Sequence, residues 1–226
     1  MTPREARRRW SSTVAVALLA ACTSTGSSPT AQPQAPATTP SPLATAVARG
    51  PVPSAAPVVV RYRIDRRTRD AATAEFAATV AATLTDARGW QRGGVRMVRD
   101  VRAPYLVVLA EPDEVQRLCR PYDIYRRYSC QNGPVVALNA ERWRHATPEW
   151  TGSLPAYRQM LVNHEVGHLL GLHHPPSPQC PRPRALAPVM AQQSTELNGC
   201  RPNPWPLPTE VQLLARHDLP LAPPPD

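Results

Sequence analysis

The sequence predicts an α+β domain on three grounds. Residues 58–64 alternate in the manner of a half-buried strand, apolar side chains return at helical spacing over 69–87 and 155–170, and several short apolar runs lie between those two helices. Of the 226 residues 42% are hydrophobic, enough for one core, while 29 prolines against 10 glycines mark much of the chain as irregular. The length suits one domain with attachments, and the order strand, helix, several strands, helix, loop, helix contains no internal repeat.

In the first strand Val60, Tyr62 and Ile64 share one face and Arg61 and Arg63 the other. Asp70 or Thr68 is placed to cap the next segment, where Phe76, Val80 and Leu84 recur every four residues among alanines. The pattern predicts a helix over 69–87, about five turns long, stopped by Gly89. Val95 to Val98 and Tyr105 to Leu109 are the next strands, and the second is apolar throughout, which suits a central position. Residues 112–118 read as a short helix, 119–133 as a loop and Pro134 to Asn139 as another strand. Helical spacing returns from Pro155 to Leu170 and ends at Gly171. The chain is then Pro-rich until Thr209 caps a last short helix at 210–217.

The formal charge is +9, and all 26 basic residues are Arg, with no Lys. Richness in Arg, Ala and Pro without Lys matches a GC-rich coding bias, so the charge does not point to nucleic acid. The arginines are scattered, and no helix-turn-helix, close cysteine pair or RNP-like string accompanies them. No apolar run reaches the roughly 18 residues that a membrane-spanning helix needs.

Residues 1–21 read as a lipoprotein signal peptide. Arg4, Arg7, Arg8 and Arg9 form a basic start, Thr13 to Ala21 an apolar stretch, and Leu19-Ala20-Ala21-Cys22 resembles the bacterial lipobox. On that reading Cys22 carries the lipid and begins the mature chain; cleavage after the alanine pair with Cys22 incidental is the other possibility. No strong twin-arginine consensus follows Arg8-Arg9, so the export route stays open. Residues 22–57, almost all Ala, Pro, Ser, Thr, Gln and Gly, bury too little to fold and are expected to be a disordered tether. The expectation is therefore a domain over 58–226, exported and lipid-anchored to the outer face of the bacterial cell membrane, or secreted. It would be a monomer that touches the membrane through its N-terminal lipid only.

Export leaves Cys119, Cys130, Cys180 and Cys200, an even number in an oxidising compartment. Three connectivities are open, and local pairing, Cys119 with Cys130 and Cys180 with Cys200, is the simplest. A zinc site of these four is the rival reading, but their spacing lacks the close pairs such sites use.

The chemistry concentrates in His164-Glu165-Val166-Gly167-His168-Leu169-Leu170-Gly171-Leu172-His173-His174. His164 and His168, four apart on a helix, direct both imidazoles to one point. Zinc takes neutral imidazole nitrogens, and this spacing supplies two. Glu165 sits beside that point but one position round, which suits a general base acting on water rather than a third ligand. Gly171 can take positive φ, end the helix and return the chain so that His174 completes the set. Three protein ligands with one open position define a catalytic zinc site, holding one ion. His173 is off the ligand spacing, and His145 and His217 lie outside the pattern.

This string resembles the extended HExxHxxGxxH signature of the metzincin zinc metallopeptidases, in which His174 would be the third ligand. Pro188-Val189-Met190 resembles their Met-turn, 16 residues after His174, with Met190 beneath the metal. More narrowly, residues 58–217 are similar to an actinobacterial secreted metzincin-like family of unassigned function, including the Asn163-His164-Glu165 helix and the Val189-Met190-Ala191-Gln192-Gln193 stretch. One departure is Gln192, where some metzincins carry a Tyr that assists the transition state. The resemblance implies a mixed, mostly antiparallel-edged sheet packed by the long helix 69–87. The active-site helix 155–170 would form the cleft floor and the strand 134–139 its upper rim, where a peptide or protein substrate adds as a further strand. It implies a zinc-dependent peptidase with Glu165 as general base. A zinc-binding, non-catalytic module holding a peptide or envelope partner is the alternative, and a hydrolase of another amide is the third reading. No GxSxG elbow, Walker loop or GxGxxG offers a different chemistry.

Overall fold

A computed structural model describes residues 56–214. The expected signal peptide with Cys22, most of the expected tether and the end of the helix expected over 210–217 lie outside the described residues. Five strands form one mixed sheet in the order β2-β1-β3-β5-β4, built from Val58–Arg66 (β1), Val95–Arg99 (β2), Tyr105–Ala110 (β3), Cys130–Asn132 (β4) and Val135–Asn139 (β5). The first four in that order run parallel, and β4 pairs antiparallel with β5. Only one edge is therefore antiparallel; β2 is a parallel edge.

Each face of this sheet has its own cover. Val60 and Tyr62 of β1, Met97 of β2, Val107 and Leu109 of β3 and Leu138 of β5 face α1 (Phe76–Thr85), α3 (Ala140–His145) and α4 (Leu154–Leu169) in one core. Leu106, Val108 and Ala137 face the opposite way, onto Val115 of α2 (Pro112–Leu118), Cys119, Ile124 and Cys130. All six residues of β3 are consequently buried, which explains its unbroken apolar run. Cys119 is bonded to Cys130 and Cys180 to Cys200.

Four features differ from the sequence-based expectations. The helix expected over 69–87 is a 3₁₀ turn, Ala71–Thr73, followed by the ten-residue α1. Side-chain bonds hold the region before it in a non-helical path: Thr68 Oγ1 donates to Thr73 Oγ1 at 2.7 Å, and the Arg144 guanidinium clamps the Asp70 carboxylate at 2.9 Å. Neither Thr68 nor Asp70 caps α1; its cap position is Glu75, which makes no side-chain cap. The loop expected over 119–133 contains β4, and this strand, not 134–139, is the sheet edge; β5 is flanked on both sides and cannot accept another strand. α3 was not expected, although Asn139 caps it by accepting the Glu141 N–H at 2.9 Å. α5 (Pro208–Leu214) starts one residue before Thr209, which lies inside it. Among the described residues no helix is long and apolar enough to cross a membrane.

Candidate metal centre

α4 carries the site, and both its ends follow from local sequence. Ser153 accepts the Ala156 N–H at 3.3 Å at the start, with Pro155 in the first turn, where its missing N–H costs nothing. At the far end Gly171 takes φ 85°, its N–H donates to His168 O at 2.9 Å, and the Leu172 N–H donates to Gly167 O at 3.0 Å. These two bonds are a Schellman motif, which only a residue at ease with positive φ closes without strain. The turn also delivers a ligand partner: His168 Nδ1–H donates to Leu172 O at 2.8 Å.

His164 has the same kind of support from another segment. Its Nδ1–H donates to the carbonyl of Val189 at 2.8 Å, in the Pro188-Val189-Met190 turn beneath the helix. With Nδ1 protonated on both rings, both Nε2 atoms carry free lone pairs, the tautomer a metal ligand needs. His174 comes back over the turn so that its Nε2 stands 3.2 Å from that of His164 and 3.1 Å from that of His168. The three donor atoms all lie within 4.8 Å of one another.

Those spacings test whether the residues fit zinc. Nitrogens about 2.0–2.1 Å from a tetrahedral ion stand roughly 3.3 Å apart, close to the two separations seen. His174 can offer one Nε2 proton to one neighbour, so at least one of the other two Nε2 lone pairs is left without a donor, and a shared cation satisfies all three. Burial, the largest cause, pulls His164 down to about 3 and His168 to about 4, and lowers His174 too, so all three are neutral at pH 7. His164 is buried while His174 is exposed, leaving the centre open on one side. The donor set fits.

Glu165 is 5% exposed and has no hydrogen-bond or ion-pair partner among the described residues. Desolvation alone pushes its carboxyl up to about 8. Met190 lies buried under α4 against Gly167, and Trp90 Nε1–H donates to Asn163 O at 3.1 Å, fixing the helix one residue before the first histidine. Gln192 is engaged by Gln179, whose Oε1 accepts the Gln192 N–H at 2.6 Å and whose Nε2 donates to Gln192 Oε1 at 3.1 Å. His173 stays outside the cluster.

Sequence reasoning missed the braces behind the site. Gln193 is buried and donates through Nε2 to Pro188 O at 3.1 Å and Asn203 O at 2.8 Å. Glu210 is buried and accepts the N–H groups of Val189 and Met190 at 3.0 and 2.8 Å. Of these, Glu210 had a signal: Leu207-Pro208-Thr209-Glu210 has Pro in the first turn and Glu three residues after the cap position.

The fold and the site define an α+β domain with a candidate three-histidine metal centre on one helix and its C-terminal turn. Residues 58–208 match the family described as "Protein of unknown function (DUF3152)", and the chain belongs to that family. No curated protein matches it. Among solved structures, the crystal structure of archaemetzincin from Methanopyrus kandleri is similar, with 14% identity, a TM-score of 0.43, and coverage of 73% of this chain and 97% of that one.

Proposed function

We propose that this domain is a zinc-dependent metallopeptidase, with His164, His168 and His174 as ligands and Glu165 as general base. The observation that carries the reading is the convergence of the three Nε2 atoms, two of them backed by Nδ1–H bonds to backbone carbonyls, beside a buried carboxylate with no partner. The resemblance of this string, with Met190 beneath it, to the metzincin signature supports it.

Zinc held there would supply Lewis acidity toward a carbonyl and lower the pKa of water. The chain's own groups do the rest. The two carbonyl-anchored imidazoles hold their rings in one orientation, and the exposed side at His174 admits substrate. Glu165 accepts a proton from the attacking water and passes it to the leaving amine. Burial raises that carboxyl in the metal-free protein, and a zinc ion beside it would oppose the shift and favour the carboxylate that takes the proton.

We further propose that β4 is the rim to which an extended peptide adds, since it is the antiparallel edge of the sheet. Residues 1–21 and 22–57 are proposed as signal and tether, placing a monomeric domain at the outer face of the cell membrane through a lipid on Cys22. Incubating purified zinc-loaded protein with a broad peptide library tests the activity. Cleavage that stops with a chelator and returns with zinc supports it; bound zinc with no cleavage of any peptide favours the non-catalytic binding module.

A further inference from the structure

Among the described residues two acids are buried, Glu165 and Glu210, at 5% and 6% exposure. Glu210, in the first turn of α5, has no cationic partner. Its carboxylate is held by three backbone N–H groups: Met190 to Oε1 at 2.8 Å, and Val189 and Leu207 to Oε2 at 3.0 and 2.7 Å. The Leu207 bond is an ordinary reach-back at a helix start, which an exposed glutamate makes as well. The other two leave the helix and end on consecutive peptides directly beneath the histidines.

The amino acid at 189 is engaged at both its backbone groups. Its N–H points into the Glu210 carboxylate, while its carbonyl receives His164 Nδ1–H at 2.8 Å. An anion that fixes this short stretch of backbone from one side sets what it presents on the other. The Val189 carbonyl shares its peptide group with the Met190 N–H, which donates to Glu210 Oε1 at 2.8 Å; hydrogen bonds in series through one peptide polarise one another, which strengthens the bond to Nδ1–H and makes Nε2 a better donor to a cation. His168 lacks this support, because its acceptor, Leu172 O, belongs to the turn that ends α4.

We propose that Glu210 is a positioning residue: through Val189 it sets the orientation of the His164 imidazole, and with it the zinc affinity of the three-histidine centre. The proposal rests on the metal reading above. It assigns a role in metal binding to a residue 46 positions beyond His164 that touches neither metal ligand nor substrate.

The test uses the full-length protein and two readouts: zinc affinity by chelator competition, and the Nδ1–H signals of His164 and His168 by NMR in the metal-free state. Glu210→Gln offers one oxygen in place of two, and should weaken zinc about 10–100-fold. It should move the His164 signal and leave that of His168 in place. Glu210→Asp keeps the charge but is shorter by one methylene; it should show the same pattern and serves if the glutamine variant does not fold. Leu214→Ala, which trims the packing of the same helix on Gly93, should lower thermal stability with neither readout changed. Wild-type zinc affinity and an unmoved His164 signal in the Glu210 variants would overturn the proposal. Equal weakening by Leu214→Ala would reduce Glu210 to a general stabiliser and overturn it too. A wild type that takes up no zinc overturns the metal reading, while the His164 signal still decides whether Glu210 orients that ring.

Discussion

Gly167 and Met190 pack so closely that a larger residue at 167 requires Met190 to shift: a Cβ there would stand 2.3 Å from Met190 Sδ and 2.9 Å from Trp90 Cζ2. Glycine inside a helix costs up to about 1 kcal/mol relative to alanine, so its presence between His164 and His168 needs this steric reason. Gly167→Ala should therefore destabilise the domain by about 1–3 kcal/mol despite alanine's better propensity. Denaturant unfolding checks it, and Met190→Ala in the same chain should recover part of the loss, leaving the share due to Trp90.

Replacing Glu165 by Gln separates chemistry from stability. Turnover should fall about 10²–10⁴-fold with zinc retained. The folded carboxyl is raised to about 8 against an ordinary 4.5, so the wild-type side chain stabilises fully below pH 4.5 and loses that contribution as pH rises toward 8. In the metal-free protein the glutamine variant should thus be more stable at pH 7 by about 1–3 kcal/mol, and the gain should vanish near pH 4.5. Urea midpoints at several pH values measure this; a glutamine variant that turns over at the wild-type rate removes Glu165 from the mechanism.

The histidines act with the opposite sign. His168 is lowered to about 4 from 6.5, so its neutral form stabilises the metal-free fold above pH 6.5, and that contribution is lost as pH falls toward 4. His168→Gln should flatten the acid limb of the stability profile relative to wild type. Zinc should also stay bound to lower pH than ordinary imidazoles allow, because protons compete poorly for buried rings. Changing His164, His168 or His174 to Ala should release it.

The bridge from Cys180 to Cys200 encloses Met190 and Gln193, with a small cluster of Ala185, Ala187 and Leu197 around it. Replacing both cysteines by Ser should lower stability by about 3 kcal/mol in the chain-entropy view. It should weaken zinc as well, since the loop carries the His164 acceptor. Thermal melts and chelator competition read the two effects separately.

Cys22→Ala tests the address. The wild-type protein should fractionate with membranes and the variant should be released; unchanged retention rules out a lipid on Cys22.

Much of the candidate centre was legible because it is encoded locally. His164, His168, Gly171 and His174 fall within eleven residues, where helix pitch and one αL turn fix the geometry. Its braces were not legible, since they are side-chain contacts to distant backbone: Trp90 reaches Asn163 across 73 positions, and Glu210 reaches Val189 across 21. In the fold, the apolar run of β3 marked it as central. β4 and α3, at three and six residues, are too short for periodicity to register. α1 was overdrawn because its alanine-rich lead-in looks helical, while Thr68, Asp70 and Arg144 hold that stretch otherwise.

The parallel sheet also constrains the order in which the molecule can assemble. β1 is the first of the described strands yet needs β2 on one side and β3 on the other, so one edge stays open until residue 99 has emerged and the other until residue 110. Parallel pairing waits on long loop closures and is slow. A chain still being made would meanwhile hold β1, with Val58 and Val59 at its start, as an open template for other strands. Arg61 and Arg63 on that strand place charges on the template during the interval when it is most exposed to misassembly.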